Sequence, residues 1–260
     1  MLSQMQRDAA VETLQKAERT KQQAVQLSQQ FPDICIEDAY SISQTVAQQR
    51  GDSGDRLIGH KVGLTSRAMQ QSSKIDEPDY GHVFESMLIS NGATVKHADF
   101  CVPRVEPELT FVLKKPLRGP DLGLQDILDA TECVIPSIEI IDARVLEPRL
   151  IFDTVADNGA AAGLVLGDTR FKPEELDLKW VGSLFFRNDD LEETGIAAGV
   201  MKHPANAVAW LANKLATFGV GMEAGHMILS GSFTRPVWAD PGDLLLADFG
   251  PAGVVSVNFE

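Results

Sequence analysis

Apolar residues change their spacing part-way along this chain. Up to about residue 55 they are sparse, set in a polar background rich in Gln, Ala, Lys and Ser. Val11, Leu14, Leu27 and Phe31 mark the narrow apolar stripe of a surface helix. Ala39, Ile42 and Val46 share one face of a second helix over about 37–50, and Gly51 offers its C-terminal stop. Residues 1–55 are therefore expected to form an N-terminal helical arm, packed on the body or on a neighbouring subunit. Residues 56–260 are expected to form a mixed-β domain.

Beyond Gly51, short apolar runs alternate with clusters of Gly, Pro, Asn and Asp, the pattern of many short strands. Strands are predicted near 57–64, 83–89, 104–114, 134–142, 161–166, 181–187, 226–230, 243–248 and 254–259. Asn91-Gly92 and Asn188-Asp189 read as hairpin turns. A helix opens at Pro204, with Val208, Leu211, Leu215 and Phe218 on one stripe and Gly219 closing it. A shorter helix is predicted near 123–131. Strands and helices do not alternate regularly, so the expected class is α+β with a mixed, β-rich core.

Chemistry enters through one of these strands. Glu106 and Glu108 occupy alternate positions before an apolar run, so a strand aims both carboxylates at one face, roughly 6–7 Å apart at the backbone. Like charges placed so need a positive partner, and a hard divalent cation is the simplest one. Glu139 stands in the apolar run Val134–Asp142. Either alternation leaves it on a solvated face, or it is a third ligand, because an unpaired buried carboxylate is costly. Three carboxylates leave coordination positions for water or a chelating substrate, which suits Mg²⁺ or Mn²⁺. Pro107 removes an N–H between two of these acids, which predicts a sheet edge or bulge there.

Other residues admit two readings each. Lys61, inside an apolar strand, either snorkels or pairs with a carboxylate, or is an active-site cation that binds an anion or moves a proton. Asp79 sits in a turn-rich stretch, as a structural turn residue or as an acid or base near a metal. Ser232 and Thr234 lie in the loop Gly231–Pro236, a plain turn or a binder of carboxylate oxygens. Asp142 is equally a structural partner for Arg144.

The formal net charge of −14 argues against nucleic acid and anionic membranes as partners. Cys35, Cys101 and Cys133 are too widely spaced for a disulfide framework or a zinc motif. Gln4, Gln6, Arg7 and Asp8 interrupt the N-terminus, and no apolar run approaches the ~18 residues of a membrane span, so the cytoplasm is the expected location. The five histidines show no HExxH spacing. There is no G-x-S-x-G elbow and no G-x-G-x-x-G after a strand, which disfavours zinc hydrolases, serine hydrolysis and nucleotide cofactors.

Three segments, Gly59-His60-Lys61-Val62-Gly63-Leu64-Thr65-Ser66, Pro103-Arg104-Val105-Glu106-Pro107-Glu108 and Val134–Asp142, resemble the hydratase/decarboxylase family of catechol meta-cleavage pathways. So do Ala156-Asp157-Asn158, the stretch His203–Asn213 and Gly231-Ser232-Phe233-Thr234. The resemblance spans nearly the whole chain and implies a core of the fumarylacetoacetate hydrolase C-terminal type. It implies Mg²⁺ or Mn²⁺ at Glu106, Glu108 and Glu139, with Lys61 and Asp79 at the substrate. It also implies a small 2-oxo or 2-hydroxy-dienoate substrate, a homo-oligomer built on pentamers, and association with a pathway decarboxylase. Hydration of the dienoate is the expected activity. Decarboxylation of a 2-oxo-3-enedioate and a non-catalytic scaffold role are the alternatives. The connection from Arg144 to Phe152 is short against the family pattern and is expected to shape the far end of the pocket.

Overall fold

A computed structural model describes residues 1–260. Helix α1 (Gln4–Thr20) starts at a capping box in which Ser3 and Gln6 satisfy each other's backbone N–H groups. After the short α2 (Leu27–Gln30) comes α3 (Ile36–Asp52). Gly51 does not stop α3. A single glycine costs a helix only about 1 kcal/mol, and the left-handed residue that turns the chain is Gly54, with φ 93°. Val11, Leu14, Leu27 and Ile42 share one apolar core with residues of the body, such as Val105 and Leu211.

The body holds two sheets. Strands β1 (Leu57–Gly63), β2 (Asp79–Phe84), β3 (Leu88–Ile89), β5 (Pro103–Leu113), β6 (Thr131–Asp142), β7 (Ala161–Leu166) and β10 (Met227–Leu229) form one in the order β2-β1-β10-β5-β6-β7-β3, with β11 (Val237–Trp238) also pairing β5. The other, in the order β4-β13-β12-β8-β9, contains β4 (Thr94–Val95), β8 (Gly182–Arg187), β9 (Asp190–Ile196), β12 (Leu244–Asp248) and β13 (Val254–Phe259). β13 packs across β6 and β7 and so joins the sheets. α4 (Arg67–Ser73) follows β1, α5 (Leu124–Ala130) precedes β6, and α6 (Ile151–Ala156) packs on α3. α7 (Pro204–Ala216) is capped by His203, whose Nδ1 accepts from the Ala205 N–H at 3.2 Å. No helix is long and apolar enough to cross a membrane.

Four expectations need correction. The strand predicted near 83–89 is two, split by a 3-10 turn at Glu85–Met87, and Asp79 opens β2 rather than sitting in a loop. Asn188-Asp189 does join β8 to β9, but Asn91-Gly92 closes no hairpin: β3 pairs with β7, and β4 with β13 in the other sheet. β9 was missed because it is largely exposed and polar, and α4 because it has no buried residue and hence no apolar period. Finally, β5 is an interior strand, so Pro107 is not at a sheet edge. Its missing N–H is tolerated for another reason. β10 pairs with Thr110–Val112 and β11 with Arg104–Val105, and Pro107 falls in the gap between them.

One buried ion pair locks the connection into β7. Arg144 donates from Nε to Asp157 Oδ1 at 2.5 Å, from Nη2 to the Asp157 carbonyl at 2.5 Å and from Nη1 to the Ala161 carbonyl at 3.2 Å. Between those carbonyls Asn158, Gly159 and Ala160 all have positive φ, of 58°, 58° and 61°. Such a run is unfavourable for non-glycine residues and persists only where its surroundings hold it. Asp142, for its part, accepts from the Cys101 and Val102 N–H groups. Arg144→Met leaves Asp157 buried without its counter-charge, and a loss of about 3–5 kcal/mol in urea-denaturation stability is expected. A loss below about 1 kcal/mol would show that the pair does not hold this segment.

Candidate metal centre

The β5–β6 register places Glu106 directly opposite Glu139, and Glu108 opposite Ser137. All three glutamates are buried, at 9%, 0% and 1% exposure for Glu106, Glu108 and Glu139. Each offers an oxygen, and these atoms lie within 4.8 Å of one another. Glu108 Oε2 accepts the Gly231 N–H at 2.9 Å. Glu108 Oε1 and both carboxylate oxygens of Glu139 have no hydrogen-bond partner. Buried acceptors left so are expensive, and a hard cation is the group that an all-carboxylate donor set fits.

Their electrostatics say the same. Burial lifts the Glu139 carboxyl to about 8, opposed by Lys61 and reinforced by Glu106 and Asp79. Burial lifts Glu106 to about 6 against the pull of Lys61 and Arg104. Glu108 is raised well above the ordinary range by burial and by its two acidic neighbours. A cation entering this centre would therefore displace protons from these carboxyls.

Lys61 comes from β1, where every residue after Leu57 is buried. Its Nζ donates to the Gly159 carbonyl at 2.8 Å and lies 3.5 Å from Asp79 Oδ1 and 3.7 Å from Glu139 Oε1. Burial depresses its pKa, but Glu139, Asp79, Glu106 and Glu108 more than reverse this, so the ammonium form is held above its usual range. Asp79 stands opposite Gly63 on the neighbouring strand. A Cβ at Gly63 would collide with Asp79 Oδ1 and come within 2.8 Å of Lys61 Nζ, so the lysine and aspartate meet because that position has no side chain.

Space for these groups comes from the end of β10. That strand stops at Leu229, opposite Lys61 on one side and Thr110 on the other. Gly231, with φ 101°, turns the chain away, a geometry that disfavours any side chain. Ser232 and Thr234 lie on this loop, with hydroxyls engaged by the backbone. Ser232 Oγ is within hydrogen-bonding distance of the Pro107 carbonyl at 3.3 Å and accepts the Thr234 N–H at 3.2 Å, while Thr234 Oγ1 donates to the Arg235 carbonyl at 3.0 Å. They brace the loop that holds Glu108, and neither lines the adjoining cavity. That cavity, of about 440 Å³, is lined by Lys61, Gly63, Asp79 and Glu106 and, further along, by Arg104 and Arg149.

Sequence reasoning thus named the acids and the lysine that the fold assembles. It missed the Gly159 carbonyl, the empty position at Gly63 and the arginines. For Arg104 the signal was present: it precedes Glu106 by two residues and so shares its face of β5.

No protein-family model matches the chain. Curated relatives do. The chain is 50% identical over 253 residues to a 2-oxo-hept-4-ene-1,7-dioate hydratase of Escherichia coli, covering 95% of each protein. It is 39% identical over 249 residues to a 2-hydroxyhexa-2,4-dienoate hydratase of Comamonas testosteroni, covering 95% of this chain and 94% of the relative. Among solved structures, a 4-oxalocrotonate decarboxylase from Pseudomonas putida G7, complexed with magnesium and adipate, superposes with a TM-score of 0.97 at 31% identity, over 100% of this chain and 99% of that one. A fumarylpyruvate hydrolase from Pseudomonas aeruginosa, at 10% identity and a TM-score of 0.60 over 79% of this chain and 89% of that one, shares the fold.

In chelator-treated protein, raised carboxyl pKa values mean that the folded state binds more protons than the unfolded one between about pH 4.5 and 8. The slope of stability against pH is then negative, and the melting temperature is expected to fall as pH rises through this window. A saturating divalent cation should raise it, by an increment that grows with pH. Thermal unfolding with and without cation checks this; an increment that shrinks as pH rises would exclude carboxylate ligands.

Proposed function

The chain belongs to the family of dienoate hydratases and 4-oxalocrotonate decarboxylases, with the fumarylacetoacetate hydrolase fold, and within it we propose a metal-dependent hydratase of a 2-hydroxy-2,4-dienoate. The substrate that fits best is 2-oxo-hept-4-ene-1,7-dioate, in its 2-hydroxy-2,4-diene form, and the product is a 4-hydroxy-2-oxo acid of aromatic meta-cleavage catabolism. The observation that carries this reading is the buried, hydrogen-bond-starved set of Glu106, Glu108 and Glu139 beside Lys61 and Asp79.

Mg²⁺, or Mn²⁺ in its place, would be held by the three glutamates and would supply Lewis-acid stabilisation of negative charge at the substrate's C1 carboxylate and C2 oxygen. The residues of the chain do the rest. Hydration needs a proton delivered to C5, which with loss of the C2 hydroxyl proton gives the 2-oxo-3-enoate. It then needs water to add at C4 with a proton at C3. Lys61 and Asp79 are the groups placed to move these protons, and Lys61 is oriented by the Gly159 carbonyl. We assign Ser232 and Thr234 to the support of the Glu108 loop, since their hydroxyls are already engaged there.

A sister reaction, decarboxylation of a 2-oxo-3-enedioate, has support in the 31% identity and TM-score of 0.97 to the Pseudomonas putida enzyme. The greater identity to hydratases favours hydration. A non-catalytic scaffold has no use for four acids buried around one lysine. As partners we propose further copies of this chain in a pentamer-based homo-oligomer, and a pathway decarboxylase. Exposed Leu184, Leu191 and Ile196 on β8 and β9 are apolar residues such a contact would cover.

Ultraviolet loss of the dienoate, followed alongside CO₂ release, tests the proposal. Hydration without CO₂ is expected, and CO₂ release without hydration would reverse the assignment. Glu106→Gln and Glu139→Gln should each abolish cation-dependent turnover; unaltered turnover in either would remove these residues from the site. Lys61→Met should lower kcat about 10²–10⁴-fold. Gly63→Ala, which forces Lys61 and Asp79 apart, should cost about 10²-fold with the cation still bound. A kcat within about twofold of the parent would show that their spacing is unimportant.

A further inference from the structure

The cavity beside the carboxylates carries a second charged cluster. Arg104 and Arg149 both line it, each with a side chain only 16% exposed. Both point a guanidinium at the same atom, Glu147 Oε1, at 3.0 Å from Arg104 Nη2 and 3.1 Å from Arg149 Nη2. Glu147 itself stands largely in solvent: its side chain is 60% exposed. Two largely buried cations therefore share one oxygen of one largely exposed acid, which leaves one positive charge in excess. The Arg104 guanidinium also lies over the Trp238 ring, 4.6 Å from its centroid, which fixes its plane.

Position ties this cluster to the metal centre. Alternation along β5 points Arg104 to the same face as Glu106 and Glu108, roughly 6–7 Å along the strand from Glu106. Opposite Arg104 on β6 is Ile141, which also lines the cavity. A seven-carbon diacid spans roughly 7–8 Å between its carboxyl carbons at ordinary C–C lengths. That length is comparable with the spacing of Glu106 and Arg104 along β5.

We propose that Arg104 and Arg149 bind the distal carboxylate of a dicarboxylic 2-oxo acid, with Glu147 as a placeholder that holds the guanidiniums together until the substrate displaces it. The inference rests on the reading of the glutamate centre as the site for the 2-oxo acid end. Guanidinium forks match the two oxygens of a carboxylate, so a substrate carboxylate satisfies both arginines better than one shared glutamate oxygen does. Specificity for a diacid over a monoacid is then set by residues of the Arg144–Phe152 connection together with β5.

Calorimetric titration of the Mg²⁺-loaded protein with 2-oxopimelate and with 2-oxoheptanoate, which differ only in the distal carboxylate, tests this without turnover. The diacid should bind about 10- to 100-fold tighter, the range of a charge-assisted hydrogen bond. Arg104→Met and Arg149→Met should each collapse the ratio towards one, chiefly by weakening the diacid, with thermal unfolding confirming that each variant is folded. Glu147→Gln should bind the diacid at least as tightly as the parent. Equal affinity for both acids in the parent, or a ratio that survives both arginine variants, overturns the clamp; a tenfold weaker diacid in Glu147→Gln overturns the placeholder. A clear preference in protein that hydrates no dienoate upholds the clamp and sinks the hydratase reading instead.

Discussion

Four acids, Glu106, Glu108, Glu139 and Asp79, are buried around one lysine, and the rest of the architecture accommodates that imbalance. A carboxylate removed from water without a partner is among the costliest arrangements a fold can hold. The β5–β6 register creates the cost, since it sets Glu106 against Glu139 where two apolar residues would pair at no penalty. Several otherwise unrelated features reduce it. Gly63 is bare so that Lys61 can reach Asp79, Gly231 adopts φ 101° and gives its N–H to Glu108, and Arg144 braces the left-handed run whose Gly159 carbonyl holds Lys61. None of these supplies enough positive charge, and the remaining deficit is what a divalent cation would neutralise.

How much of this was legible in the sequence depended on distance along the chain. Alternation is local, so the shared face of Glu106 and Glu108 could be read directly, as could the apolar runs of β5, β6, β7 and β13. Register is not local. Nothing in the residues says that Glu106 faces Glu139 rather than Ser137, and that pairing turns two solitary acids into a centre. Pro107 shows the same limit. Proline in a strand implies a place where no ladder bond is wanted, which is true, but the sequence offers an edge as the usual such place, whereas the fold uses the gap between β10 and β11. The left-handed run Asn158–Ala160 was legible only in part: Asn-Gly favours positive φ at two successive residues, but Ala160 gives no such signal, and Arg144, fourteen residues before Asn158, pins the Asp157 and Ala161 carbonyls on either side of the run.

The two ends of the cavity obey different physics. At the glutamate end negative charge is in excess and is met by an added cation. At the arginine end positive charge is in excess and is met by Glu147, a largely exposed side chain of the protein itself. An acidic protein with a net charge of −14 can therefore receive a small anion, because the local field along the cavity has the opposite sign to the global one.

That polarity bears on which of the two family reactions the site favours. Hydration and decarboxylation both place negative charge on the C2 oxygen, so the glutamates, their cation and Lys61 serve either one. The reactions part at the distal carboxylate. In a 2-oxo-3-enedioate such as 4-oxalocrotonate, that group leaves as CO₂, and its charge must pass into the conjugated system as the bond breaks. Cationic groups that grip the carboxylate stabilise the charged starting state more than the neutral gas that departs, and so raise the barrier. A hydratase keeps the distal carboxylate unchanged through every step, and the same grip then binds ground state and transition state alike, improving affinity without opposing the chemistry. Two guanidiniums at the far end of the cavity are thus an aid to one reaction and an obstacle to the other, and they separate the two where the glutamates do not.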